Sequence, residues 1–69
     1  MQLDAHQIAN CLSNRDASEL KLVDWCLRTN EACGHDREAV AHLIAMELAR
    51  ANGMAVRITE LGYEVLRHL

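Results

Sequence analysis

The side chains best equipped for chemistry are Cys26, Cys33, His35 and His42, which follow one another in a C-x6-C-x-H-x6-H spacing. Structural zinc sites pair their ligands across two to five intervening residues, because short chelate loops fix the tetrahedral geometry, and gaps of six do not. No metal is therefore expected. Cys33 and His35 are the one close thiol and imidazole pair. A nucleophile also needs a third group to orient its base, and two positions apart at a helix end supply no such arrangement. There is no glycine-rich phosphate loop, no paired-carboxylate motif and no Gly-x-Ser-x-Gly. A chain of 69 residues also leaves little core in which to enclose a substrate pocket. These residue types point away from an enzyme and from a bound cofactor.

What remains is binding. Trp25 sits on the margin of a helical pattern, flanked by Ser18 and Thr29 rather than by Leu20, Val23 and Leu27. With Arg28, Tyr63 and Arg67 it makes a set containing the chain's two aromatic residues and two arginines, the types that dominate interface energetics. These four are the candidate partner-binding residues. The bland reading of Trp25 is a ring folded over the edge of the core.

Seven Lys and Arg stand against ten Asp and Glu, a formal net charge of -3, so the chain as a whole does not attract phosphate backbones. Nucleic-acid binding would need a local basic face. Hydrophobic residues are 51% of the chain with no Phe, so the core must be built from Leu, Val, Ile, Ala and Met. The cysteines are odd in number and no apolar leader precedes them, which argues against disulfides and for a reducing, cytoplasmic home. No apolar run reaches the length of a membrane span.

The elements that must position these residues form one helical domain over residues 1–69. A helix over residues 4–13 buries Ala5, Ile8, Ala9, Cys11 and Leu12. A second over 17–33, capped by Asp16, buries Leu20, Val23 and Leu27, extended by Leu22 and Cys26. The three cysteines are expected to behave as small buried hydrophobes. A third helix, capped by Asp36 and running over 36–52 to Gly53, carries two apolar stripes. Val40, Ile44, Leu48 and Ala51 make the broad one. Ala39, Leu43 and Met46 make the second, which has no obvious place in a small monomer and is expected to form a homodimer interface. At most one short strand is expected, near 54–58. Thr59 then caps a last helix over 60–68, in which Gly62 marks close packing. The fold class is mainly α, a small bundle of four helices.

The run Val56-Arg57-Ile58-Thr59-Glu60-Leu61-Gly62-Tyr63-Glu64-Val65-Leu66-Arg67 resembles the strand-to-helix exit of winged helix-turn-helix regulators of the MarR and PadR kind. Those families show a basic strand followed by Ile/Leu-Thr-x-x-Gly-x-x-x-Leu. The resemblance covers about a dozen residues. It implies that the second and third helices form the helix-turn-helix, with Cys33-Gly34-His35-Asp36 as its turn. DNA contact would then fall to Arg37, Arg50 and Arg57. Two departures weigh against full membership. Only five residues separate Gly53 from Thr59, too few for a two-stranded wing there. The third helix also offers few of the Arg, Lys, Asn and Gln side chains that read bases.

Acidic charge, missing catalytic motifs and the two-sided third helix together predict a small non-enzymatic regulatory protein. It would bind a protein partner, as a homodimer of the inhibitor or anti-activator type. A winged-helix-like transcription regulator is the alternative.

Overall fold

The computed structural model describes residues 4–31, 34–53 and 55–69. Four helices and one antiparallel hairpin follow in the order α1 (Ala5–Cys11), α2 (Asn14–Thr29), α3 (Arg37–Ala45), β1 (Ala49–Asn52), β2 (Ala55–Ile58) and α4 (Glu60–Leu66). The chain is mainly helical, as the composition implies.

Each helix begins at a side-chain cap. In α1, the Gln7 amide donates to Asp4 Oδ1 at 2.8 Å while Gln7 Oε1 accepts from the Asp4 amide at 3.1 Å, a reciprocal capping box. The cap of α2 is Ser13 rather than Asp16: its hydroxyl accepts from the Asp16 amide, which starts the helix three residues before the expected position. That helix ends at Asn30, which takes the left-handed conformation at φ 56°, well before Gly34. The expected end at Cys33 lies outside the described residues.

The largest departure is α3. Its amphipathic pattern continues to Ala51, yet the helix stops at Ala45 because Glu47 turns left-handed at φ 63°. The Leu48 amide then donates back to the Leu43 carbonyl at 2.9 Å, and the Glu47 amide to the Ile44 carbonyl at 3.0 Å. These are the two bonds of a Schellman ending, and Leu43 and Leu48, both fully buried, supply its apolar clasp. Residues 49–52 are thereby released to form β1.

β1 pairs with β2 in the register Ala49↔Ile58, Arg50↔Arg57, Ala51↔Val56 and Asn52↔Ala55. Two strands thus stand where at most one was expected. Gly53, at φ 63°, supplies the positive φ that tight hairpin connections need. The inner face of the hairpin places Ala49, Val56 and Ile58 against the core, where Leu20, Leu43, Leu48 and Val65 are fully buried.

Gly62 locks the last helix onto this turn. A Cβ there would come within 2.6 Å of Ile58 Cγ2 and nearer still to the Leu48 carbonyl oxygen, so only glycine fits. Thr59 ties the same junction. Its amide donates to the Leu48 carbonyl at 3.1 Å, its hydroxyl donates to the Glu47 carbonyl at 2.6 Å, and that oxygen accepts from the Gly62 amide at 3.0 Å. The Ile58-Thr59-x-x-Gly62 run is therefore the clasp between the end of α3 and the start of α4.

Two cysteine expectations are corrected. Cys11 is exposed rather than buried, because it lies in the final turn of a short helix. Cys26 is buried in α2 but is disulfide-bonded. That removes the premise from which a reducing compartment was argued. Cys33 lies outside the described residues. No helix among them is long and apolar enough to cross a membrane.

Candidate functional site

Of the two places for the second stripe of the third helix, inside the domain or against another copy, Ala39 and Leu43 take the first. Ala39 and Leu43 are fully buried inside the chain, so they form part of its own core and offer no dimer surface. The stripe is covered chiefly by α2, with β1 folding back beside it after the early end of α3. Met46, at the helix end, is 37% exposed.

The second proposed set is divided between two helices. Trp25 and Arg28 lie on α2, Tyr63 on α4 and Arg67 at its C-cap. Both residues are exposed, at 44% and 43%. Arg28 is held by Asp24 one turn earlier, Nε to Oδ2 at 3.1 Å. Among the described residues no hydrogen bond, ion pair or ring contact joins the α2 pair to the α4 pair.

The three arginines Arg37, Arg50 and Arg57 come out differently. All are exposed, and among the described residues none makes an ion pair. Arg50 and Arg57 are direct cross-strand partners on the outer face of the hairpin. Like charges placed opposite each other on a sheet repel, and among the described residues neither forms an ion pair, although Glu47 and Glu60 line the groove beside them. An external anion would relieve the repulsion.

The arginines border two adjoining grooves. A groove of about 870 Å³ runs between the hairpin, the end of α3 and the start of α4, and its lining includes Arg50, Arg57, Glu47, Glu60 and Ile44. A shallower groove of about 480 Å³ between α3 and β2 is lined by Arg37, Val40, Ala41, Ile44, Val56 and His35. Ile44 belongs to both, so Arg37 and the hairpin arginines flank one continuous surface.

Polar bonds from α2 set the position of α3 beneath that surface. Arg15 reaches Asp36, the N-cap of α3, through Nε and through Nη2 at 2.8 Å, and reaches Glu38 through Nη1 at 3.2 Å. The hydrogen bond from Arg15 holds the Asp36 carboxyl below the usual carboxylate range, and the same bond raises Arg15 further above its own. Glu19, 5% exposed, accepts from His35 Nδ1 at 2.8 Å and from the Asp36 amide at 3.0 Å. Asp16, 8% exposed, bonds His42 Nδ1 at 3.3 Å. Both buried carboxylates are satisfied, as burial demands.

This network escaped the sequence reading, in which Asp16 and Glu19 form a capping pattern at the helix start and Arg15 has no role; Glu19 instead bonds His35 and the Asp36 amide. The signal for it was an acidic residue at the centre of the apolar face of α2, Glu19 beside Leu20 and Val23. His35 and His42 are thereby assigned to carboxylates, and among the described residues no three His, Cys, Asp or Glu side chains gather around a common point that could hold a metal ion.

Comparison of the chain with protein-family models, with curated proteins and with solved structures finds no match.

Proposed function

We propose that this chain is a small non-enzymatic regulator that binds duplex DNA in the manner of a compact winged helix, with α3 as the groove-facing helix and the β1–β2 hairpin as the wing. The observation that carries the reading is the cross-strand pair Arg50 and Arg57, neither of them in an ion pair among the described residues, set beside Arg37 on adjoining grooves. Guanidinium groups so placed suit phosphate oxygens, which they bind through two parallel N–H donors.

Two further features support it. The order of three helices, hairpin and helix is the order a winged helix requires, and the shortened α3 frees the residues for a wing. The overall acidity also matters less locally than its sum suggests. Asp36 and Glu38, the acidic residues flanking Arg37, are already occupied by Arg15.

The test is fluorescence anisotropy of a labelled duplex of about two helical turns at low salt, with the wild-type chain and with Arg50→Gln and Arg57→Gln. Each variant should weaken binding to unrelated sequences by a similar factor, because phosphate contacts carry no base information. Wild-type binding unaltered by both variants would exclude the assignment.

A second reading, protein binding as an inhibitor or anti-activator, is favoured by the exposure of Trp25 and Tyr63. It no longer draws support from Ala39 and Leu43. If a protein partner docks there, Trp25→Ala and Tyr63→Ala each weaken its capture by more than ~1 kcal/mol while leaving duplex binding unchanged.

A further inference from the structure

We infer that the exposed face of α3 discriminates among duplexes by the 5-methyl groups of thymine, with Ile44 and Ala41 as the reading side chains. The inference rests on the DNA-binding reading above and specifies which feature of the duplex the site selects.

Arg37, Ala41 and Ile44 are spaced i, i+4, i+7, so they form one stripe along the helix. All three are exposed and line the same groove, with Ile44 38% exposed. The opposite stripe, Ala39 and Leu43, is buried, so this is the face that α3 presents outward. The other polar side chains of the helix are tied down. Glu38 bonds Arg15 and His42 bonds Asp16, which leaves Arg37 as the one unengaged donor.

The stripe is apolar with a cation at one end, Arg37, and the groove that Ile44 shares is lined by Arg50 and Arg57 together with Glu47 and Glu60. The arginine positions suit a ligand with anionic edges, and the stripe between them suits an apolar centre. A major groove has phosphates along both walls, and its one apolar base-edge group in unmodified DNA is the thymine 5-methyl. Ile44 set against amino and carbonyl edges would leave those groups without hydrogen bonds, at a cost. Set against a methyl it removes apolar surface from water.

The experiment compares an A·T-rich duplex with the same sequence in which every thymine is replaced by deoxyuridine, which keeps each hydrogen-bonding group and deletes only the methyl. The wild-type chain should bind the thymine duplex more tightly by about fourfold for each methyl contacted. Ile44→Ala should bring the ratio closer to one while keeping the salt dependence, and circular dichroism of that variant checks its fold. Equal affinity for the two duplexes overturns the inference and leaves the arginine assignment standing. A thymine preference undiminished in Ile44→Ala overturns the role of Ile44. Binding of neither duplex, with self-association that Ile44→Ala abolishes, overturns both readings and gives the stripe to a second copy of the chain.

Discussion

Replacing Gly62 with alanine tests the clasp that the Thr59-x-x-Gly62 run makes. In an ordinary helix interior the change would stabilise by roughly 0.5–1 kcal/mol, because glycine loses more backbone entropy on folding. Here the added methyl group meets the Leu48 carbonyl oxygen and Ile58 Cγ2, and one of the two obstacles is backbone. Moving α4 away would stretch the bonds from Thr59 to the Glu47 and Leu48 carbonyls, each contributing about 1 kcal/mol, on top of overpacking worth about 1–3 kcal/mol. The net expectation is a loss of about 2–3 kcal/mol. At this chain length that lowers Tm by roughly 10–20 °C. Thermal and urea unfolding followed by circular dichroism would measure it, with Gly53→Ala as a control that tests positive φ in open space. A Gly62→Ala chain as stable as wild type, or more so, would refute the close approach of α4 to the Leu48 carbonyl.

Glu47→Gly should raise stability by up to about 1 kcal/mol, since Glu47 is a non-glycine residue at φ 63°, and urea midpoints of the two chains compare them directly. Leu43→Ala should cost about 2–5 kcal/mol with a Tm that does not vary with protein concentration, as expected for a core residue and contrary to a dimer contact. Asp36 has a folded-state pKa lowered chiefly by its hydrogen bond from Arg15, so its contribution is present above the ordinary carboxylate range and is lost as pH falls through the folded value. Asp36→Asn should accordingly flatten the acid limb below about pH 4, read from urea midpoints at stepped pH.

The helical class, the capping roles of Asp36 and Thr59 and the tight packing at Gly62 were legible in the sequence, because each rests on a local rule about side-chain reach or backbone freedom. The end of α3 was not. Its apolar periodicity runs unbroken to Ala51, and the residue that terminates it, Glu47, has no propensity for a left-handed turn; tertiary burial of Leu43 and Leu48 imposes it. The hairpin did leave a signal. Asn52-Gly53 between Ala49-Arg50-Ala51 and Ala55-Val56-Arg57-Ile58 is a strong short-range hairpin pattern, which the longer helical period masked. The same error carried the site. Arg50 and Arg57 look seven positions apart on separate elements, and only the register of the hairpin sets them opposite each other. The Arg15, Asp16 and Glu19 network was beyond local reasoning, since its partners lie 16 to 26 positions away.

The measurement that bears most directly on the central claim is the salt dependence of duplex binding. If Arg37, Arg50 and Arg57 each neutralise one phosphate, log K should fall linearly with log salt at a slope of about -2.7, three contacts at about -0.9 each. The Arg50→Gln/Arg57→Gln double variant should then show a slope near -0.9. A wild-type affinity independent of salt, or a double variant with the wild-type slope, would contradict the assignment of the hairpin arginines to phosphate.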